Sequence, residues 1–348
     1  MKLLVTGGTG LIGREVSAWT VKAGHELYSA YHVTGPEFGT PVELEMTDSS
    51  SMESCFRRAK PDVVIHLAAL TYVDRCETDR DLALKMNVKA VEVMAKDAKR
   101  YSVRMVYVST DYVFDGEEGM YRKEDKPNPV DFYGESKLKG EEAVKDHADS
   151  WCIARTSTPF GLHPKKKTFP VLVAERLSSG QEMQVVEDQY TSPTYTENLA
   201  GMLGEVSEEV TAGIIHLASG TRVSGLGLAV MLAGKPRLDV RLLSPAMMKQ
   251  MRWVAKRPRD SSLNVDRLTL TLKPKPLLIE NALTIHNKTL HARPSSLTSF
   301  THGYDKIQSA IWRYSPATST VTSLACCRTL GQMELRFYRL CFAKKVGC

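Results

Sequence analysis

The chain has 348 residues, 43% hydrophobic and 25% charged, a globular composition with room for two domains or one large α/β unit. Its formal charge of +6 is uneven: residues 288–348 hold nine basic and two acidic side chains, leaving 37 of the 46 basic and 38 of the 40 acidic ones in the first 287. That near-neutral body gives no electrostatic case for nucleic acid, and with no apolar run of about 18 residues no membrane span is predicted.

The N-terminal MKLLVTGGTG lacks the apolar stretch of a signal peptide, so a cytoplasmic location is expected. The seven cysteines (Cys55, Cys76, Cys152, Cys326, Cys327, Cys341 and Cys348) form no C-x-x-C pair and no zinc spacing. Neither a bound metal nor a disulfide framework is expected.

In chain order, Lys2–Thr6 reads as a buried strand, Leu11–Ala23 as a helix, Glu26–Tyr31 and Val42–Leu44 as strands, and Ser49–Ala59 as a helix. The β-branched run Asp62–Leu67 is a strand, Arg80–Arg100 a long amphipathic helix, and Val103–Ser109 a strand. Tyr133–His147 is a helix and Trp151–Arg155 a further strand. Strands separated by helices of about ten residues or more predict βαβ units in a parallel sheet. The expected fold is therefore α/β, a Rossmann-type doubly wound sheet over residues 1–158. A smaller C-terminal substrate-binding lobe is expected over 159–287, with helices at Pro170–Ser179 and Thr196–Val206. The strand Gly213–Ala218 is expected to return to the first sheet. Residues 288–348 form a basic, Ser/Thr-rich tail with little periodicity.

TGGTGLIG, residues 6–13, lies between the first strand and the first helix. Gly7 permits a tight turn, Gly10 lets a pyrophosphate approach the backbone, and Gly13 lets helix pack on strand. The N–H groups around Leu11 and Ile12 would face the phosphates with the positive end of the helix dipole. Tyr31-His32 stands where a carboxylate would favour NAD, and Arg14 follows the last glycine. This tilts the expectation to NADPH over NADH. Glu45 and Met46 follow the third strand, where the adenine would lie.

FYGESKLKGE, residues 132–141, places Tyr133 and Lys137 four apart, on one helix face. An ammonium beside a phenol lowers its pKa from about 10, which suits proton exchange with a carbonyl or alcohol oxygen. VSTDYVFDG, residues 108–116, ends a buried strand on hydroxyls and a carboxylate.

Together the glycine turn, Thr110, and Tyr133 with Lys137 resemble the extended short-chain dehydrogenase/reductase superfamily. HLAALTYVDRCE (66–77), VSTDYVFDG, FYGESKLKGE, ARTS (154–157), DQYTSPTYTENLA (188–200) and RPRDSSLN (257–264) narrow the resemblance to the dTDP-4-dehydrorhamnose reductase family. That branch also includes regulatory subunits of methionine adenosyltransferase and has sugar-nucleotide epimerase relatives. The resemblance implies NADP(H)-dependent reduction of the C4 carbonyl of a nucleotide-linked 4-keto-6-deoxy sugar. Tyr133 would donate the proton, Lys137 would hold the nicotinamide ribose, and Thr110 would orient the carbonyl. Ala68, Ala69 and Asn87 would flank the cofactor. Thr71, Val73, Asp111, Gln189, Thr194 and Arg257 would meet the substrate, with Arg257 on the diphosphate. The resemblance also allows a homodimer. ARTS is followed here by Thr158 and Pro159, where the family often has Trp and another apolar residue, so the sugar is left open.

Overall fold

The computed structural model describes residues 1–292 apart from 210, 235–237 and 267–271. Most of the expected basic tail lies outside the described residues. The seven-stranded sheet is built from β1 (Lys2–Thr6), β2 (Glu26–Tyr31), β3 (Thr40–Glu43), β4 (Val63–His66), β5 (Arg104–Thr110), β6 (Trp151–Thr156) and β11 (Gly213–His216). Its spatial order is β3-β2-β1-β4-β5-β6-β11, and every pairing is parallel. This is the doubly wound arrangement, and the chain reverses direction between β1 and β4. In such sheets ligands bind in the crevice outside the strands' carboxyl ends at that reversal.

All seven residues of β5 are buried, as a central parallel strand covered on both faces requires. One face packs on α1 (Leu11–Lys22) and α8 (Thr196–Glu208), with Val16, Leu199 and Leu203 meeting Leu3 and Val106. The other packs on α2 (Ser49–Ala59), α5 (Ala90–Arg100) and α6 (Phe132–His147), with Phe56, Met94 and Val144 around Leu4, Met105 and Ile153. Asp48 caps α2 by accepting from Ser50 N, and Asp131 caps α6 by accepting from Gly134 N. Side-chain caps of this kind satisfy N–H groups that the helix itself leaves without a partner.

The predicted helix Arg80–Arg100 is interrupted. It begins as α4 (Arg80–Leu84), passes through a π-helical turn at Lys85–Lys89, and resumes as α5. Asn87 sits in that turn, fully buried and bonded sideways to the rest of the fold, and such turns in helices often mark functional sites.

After β6 the chain forms short paired strands and helices. β7 (Pro159–Phe160) pairs with β10 (Thr194–Tyr195), β8 (Met183–Val186) with β13 (Leu243–Ala246), and β9 (Tyr190–Thr191) with β12 (Val223–Ser224). α7 (Phe169–Ser178), α9 (Gly225–Ala233) and α10 (Ile279–Ala292) close a second core around Phe160, Val173, Leu228 and Ile279. Residues 1–292 are one compact unit. α10 runs through the boundary expected at residue 287, because its apolar face (Ile279, Ala282, Leu283) is part of that core. No helix among the described residues is long and apolar enough to cross a membrane.

Candidate active site

The glycine turn leaves β1 with Gly7 at a left-handed φ of +67° and ends at α1. A Cβ on Gly13 would collide with the Gly7 carbonyl and the Gly8 backbone, so this third glycine sets how closely α1 approaches the turn. Gly10 offers α1 no side-chain cap. The first N–H groups of the helix, at Leu11 and Ile12, therefore remain available to an anion. Thr6 Oγ1 accepts from the backbone N–H groups of Leu67 (3.1 Å) and Ala68 (3.2 Å). That ties the ends of β1 and β4 together and sets Ala68, followed by Ala69, against Gly7. These features fit a dinucleotide lying across the reversal point.

β5 ends on Thr110, whose hydroxyl donates to Asp111 Oδ1 at 3.1 Å and accepts from Tyr112 N at 3.2 Å. α6 starts at Phe132, held by the Asp131 cap and by Glu77, whose Oε2 accepts from Phe132 N at 3.1 Å. Its first turn brings Tyr133 beside Thr110. Burial pushes the phenol upward, the Thr110 hydroxyl draws it back, and Asp111 adds to the rise. One turn on, Lys137 is 3% exposed; its ammonium donates to the Val108 carbonyl at 2.9 Å and lies 4.1 Å from the Tyr107 ring centre. Burial brings Lys137 down to about 7, with Glu141 opposing. Burial thus outweighs the lowering of the Tyr133 pKa expected from Lys137, whose ammonium gives its hydrogen bond to the Val108 carbonyl.

Asp111 is 1% exposed. Its Oδ2 accepts from Ser157 Oγ at 2.7 Å and Ser261 Oγ at 2.6 Å. With Thr110 on Oδ1, the carboxyl is enclosed by hydroxyls, so it organises the site from behind and does not face a substrate as expected. Burial pushes it up to about 6, against those three hydrogen bonds. The folded chain thus holds this proton more tightly than the unfolded chain, where an aspartate titrates near about 4. Stability from this group is complete below about pH 4 and is lost as pH rises through about 6. Urea midpoints of wild type and Asp111→Asn should therefore diverge in the variant's favour between about pH 4 and pH 7. A constant difference across that range would remove the buried-carboxyl explanation.

Asn87, expected beside the cofactor, is fully buried and bonded within the fold. Its Oδ1 accepts from Leu70 N at 2.8 Å, and its Nδ2 donates to Leu70 O (3.0 Å) and Ser136 Oγ (2.9 Å). All its hydrogen bonds go to the loop after β4 and to α6, so its role is positioning. Asn87→Ala should cost about 1–3 kcal/mol for each buried group it strands. A denaturation midpoint indistinguishable from wild type would contradict this.

Thr194 is likewise corrected. It is fully buried, donates to Ser192 O at 2.9 Å and accepts from Ser219 N at 3.2 Å, so it holds β10 and presents nothing to a ligand. Gln189 donates to Pro258 O at 3.3 Å and also bears on Tyr112. Arg257 pairs with Asp74 at 2.8 Å, with Trp253 5.4 Å from its guanidinium. Asp74 follows Val73 at the start of α3 (Val73–Thr78), and Thr71 is exposed just before it. His32 and Glu45 meet at 3.0 Å on the edge beyond β2 and β3. Met46 is buried in the sheet's second core. Arg14 is paired with Glu37.

Sequence reasoning missed Ser157, Ser261, Asp74 and Glu37. Only the hydroxyls inside RPRDSSLN and ARTS hinted at the first two. Among the described residues no cluster of His, Cys, Asp and Glu could hold a metal ion.

Comparison with known proteins agrees with this geometry. The family model for the RmlD substrate binding domain matches residues 1–288. A dTDP-4-dehydrorhamnose reductase of Burkholderia thailandensis is 32% identical over 290 residues, covering 77% of this chain and 92% of its own. Methionine adenosyltransferase 2 subunit beta of Danio rerio is 30% identical over 277 residues, covering 77% and 84%. The crystal structure of dTDP-4-dehydrorhamnose reductase from Bacillus anthracis in complex with NADP superposes with a TM-score of 0.75 at 26% identity, covering 83% of this chain and all of that one. The chain belongs to the dTDP-4-dehydrorhamnose reductase (RmlD) family, within the short-chain dehydrogenase/reductase superfamily.

Proposed function

We propose that the protein is an NADPH-dependent reductase of the C4 carbonyl of a nucleotide-linked 4-keto-6-deoxy sugar, acting as a dTDP-4-dehydrorhamnose reductase. The observation that carries this reading is the meeting of Thr110 at the end of β5 with Tyr133 in the first turn of α6. They meet at the carboxyl edge of the sheet, on the same edge as the glycine turn. Bound NADPH supplies the hydride.

The chain's own residues do the rest. The turn from Gly7 to Gly13, with the N–H groups of Leu11 and Ile12, holds the pyrophosphate. Thr110 orients the carbonyl oxygen, and its hydroxyl can turn from Asp111 to do so. Tyr133 gives that oxygen a proton as charge develops on it. A phenol kept protonated by burial is the right donor for an alkoxide. Lys137, fixed on the Val108 carbonyl, supplies in its protonated form a buried positive charge one helical turn away. Positioning and field together lower the barrier to such a step. Arg257, half of a pair with Asp74, meets the diphosphate, with the exposed Thr71 on the same side.

The test is purified protein with dTDP-4-keto-6-deoxyglucose, a partner epimerase and NADPH. Cofactor oxidation is expected; no turnover with dTDP- or UDP-linked keto sugars would refute the reading. A second reading has a specific basis, because the methionine adenosyltransferase subunit matches the same share of the chain as the reductase does. In that reading the protein holds the cofactor and docks on a synthetase without chemistry. Co-purification with a synthetase, unchanged in Tyr133→Phe, would favour it.

A further inference from the structure

The adenosine end of the crevice carries charge from both halves of the compact unit. Arg14, in the first turn of α1, donates from Nε to Glu37 Oε2 at 2.7 Å and from Nη2 to Oε1 at 3.1 Å. Its Nη1 reaches Glu15 at 3.1 Å. Glu37 lies on the loop between β2 and β3 with its side chain 56% exposed. An exposed pair of this kind contributes little net stability, so Glu37 can yield Arg14 to a better anion.

A segment between β7 and α7 crosses to the same place. His163 Nδ1 accepts from the backbone N–H groups of Lys165 (3.1 Å) and Lys166 (3.0 Å). With that nitrogen accepting, the ring proton sits on Nε2, which donates to the Thr9 carbonyl at 3.0 Å. Thr9 is part of the glycine turn. The His163 ring is held below its ordinary range, first by burial, so the latch is neutral near pH 7. Lys165 Nζ then donates to Thr34 Oγ1 at 2.9 Å, three residues before Glu37. The loop after β2 is where the adenosine ribose of a dinucleotide lies in this fold.

We propose that Lys165, held in place by His163, completes with Arg14 a recognition site for the 2′-phosphate of NADPH, and that Glu37 is the resident carboxylate which this phosphate displaces. The inference rests on the dinucleotide reading above. It adds a cation that is remote in sequence from the glycine turn and an acidic residue that works against the phosphate. NADH carries no 2′-phosphate, so its binding leaves the Arg14–Glu37 pair in place and gains nothing from Lys165.

The test is direct titration of the full-length chain with NADPH, NADH, adenosine 2′,5′-bisphosphate and 5′-AMP, by calorimetry. Lys165→Ala should weaken NADPH and the bisphosphate by about 10-fold or more, with NADH and 5′-AMP unchanged. His163→Ala should weaken NADPH and the bisphosphate more than NADH and 5′-AMP, and Glu37→Gln should tighten NADPH and the bisphosphate but neither of the other two. Equal losses for phosphorylated and unphosphorylated ligands, or no loss in Lys165→Ala, overturn the inference while leaving the dinucleotide reading intact. Weaker NADH binding in Glu37→Gln with NADPH unaltered makes Glu37 a ribose ligand and also overturns it. A wild-type chain that binds none of the four ends both readings.

Discussion

Tyr133→Phe should lower kcat for keto-sugar reduction by about 10²–10⁴-fold, the range supplied by a positioned general acid, with NADPH affinity essentially unchanged. The substitution removes one oxygen atom from a ring that packs edge-on against Tyr112, with centroids 5.7 Å apart, and leaves that packing in place. Folding should therefore survive, and the loss should fall on chemistry. Steady-state rates beside a cofactor titration separate the two. Thr110→Val complements it by removing the hydroxyl beside the phenol while nearly keeping volume. A Tyr133→Phe chain that still reduces the sugar at the wild-type rate would transfer the proton to another donor, and the reading of the site with it.

How much of this was legible in the sequence follows from how far apart the partners lie. The glycine turn, the Tyr133/Lys137 spacing and the polar end of β5 are local patterns, and the fold sets them on one sheet edge. The sheet itself was legible because its strands are continuous apolar runs and its helices carry their own caps at Asp48 and Asp131. What failed was long-range. Asn87 and Thr194 look like ligand residues in their segments. Their hydrogen bonds across the fold go to residues 70, 136 and 219, and nothing local announces that a polar side chain will be spent on the fold. Arg14 shows the same limit, since its partner Glu37 lies 23 residues on. Lys137 shows a different one. Spacing places an ammonium and a phenol on one helix face, but burial decides what each does, and burial comes from the packed sheet.

Burial also drives the largest stability effect expected of a single change. Glu141→Gln should destabilise the fold by about 3–5 kcal/mol, the cost of leaving a buried ion without its partner. Glu141 and Arg155 are 0% and 1% exposed, and join α6 to β6 through two hydrogen bonds of 2.9 and 2.7 Å. The Arg155 guanidinium otherwise lies 5.1 Å from the Phe114 ring, with Nη1 unpartnered. A neutral amide would leave its charge stranded in the core. The double variant Glu141→Leu with Arg155→Met should recover much of the loss, since apolar pairs of similar volume often replace buried ion pairs at little cost. The consequence reaches the site because Tyr133, Lys137 and Glu141 follow one another at four-residue spacing on the inner face of α6. Glu141 is the leading charge that opposes the fall of the Lys137 pKa. Removing it should leave Lys137 neutral over more of the pH range and shift the pH–rate profile, even in the double variant whose stability is restored. Stability recovered with an unchanged profile would mean that the pair serves only the packing of α6 on β6. A shifted profile would mean that the ion pair anchoring this helix also keeps its lysine charged.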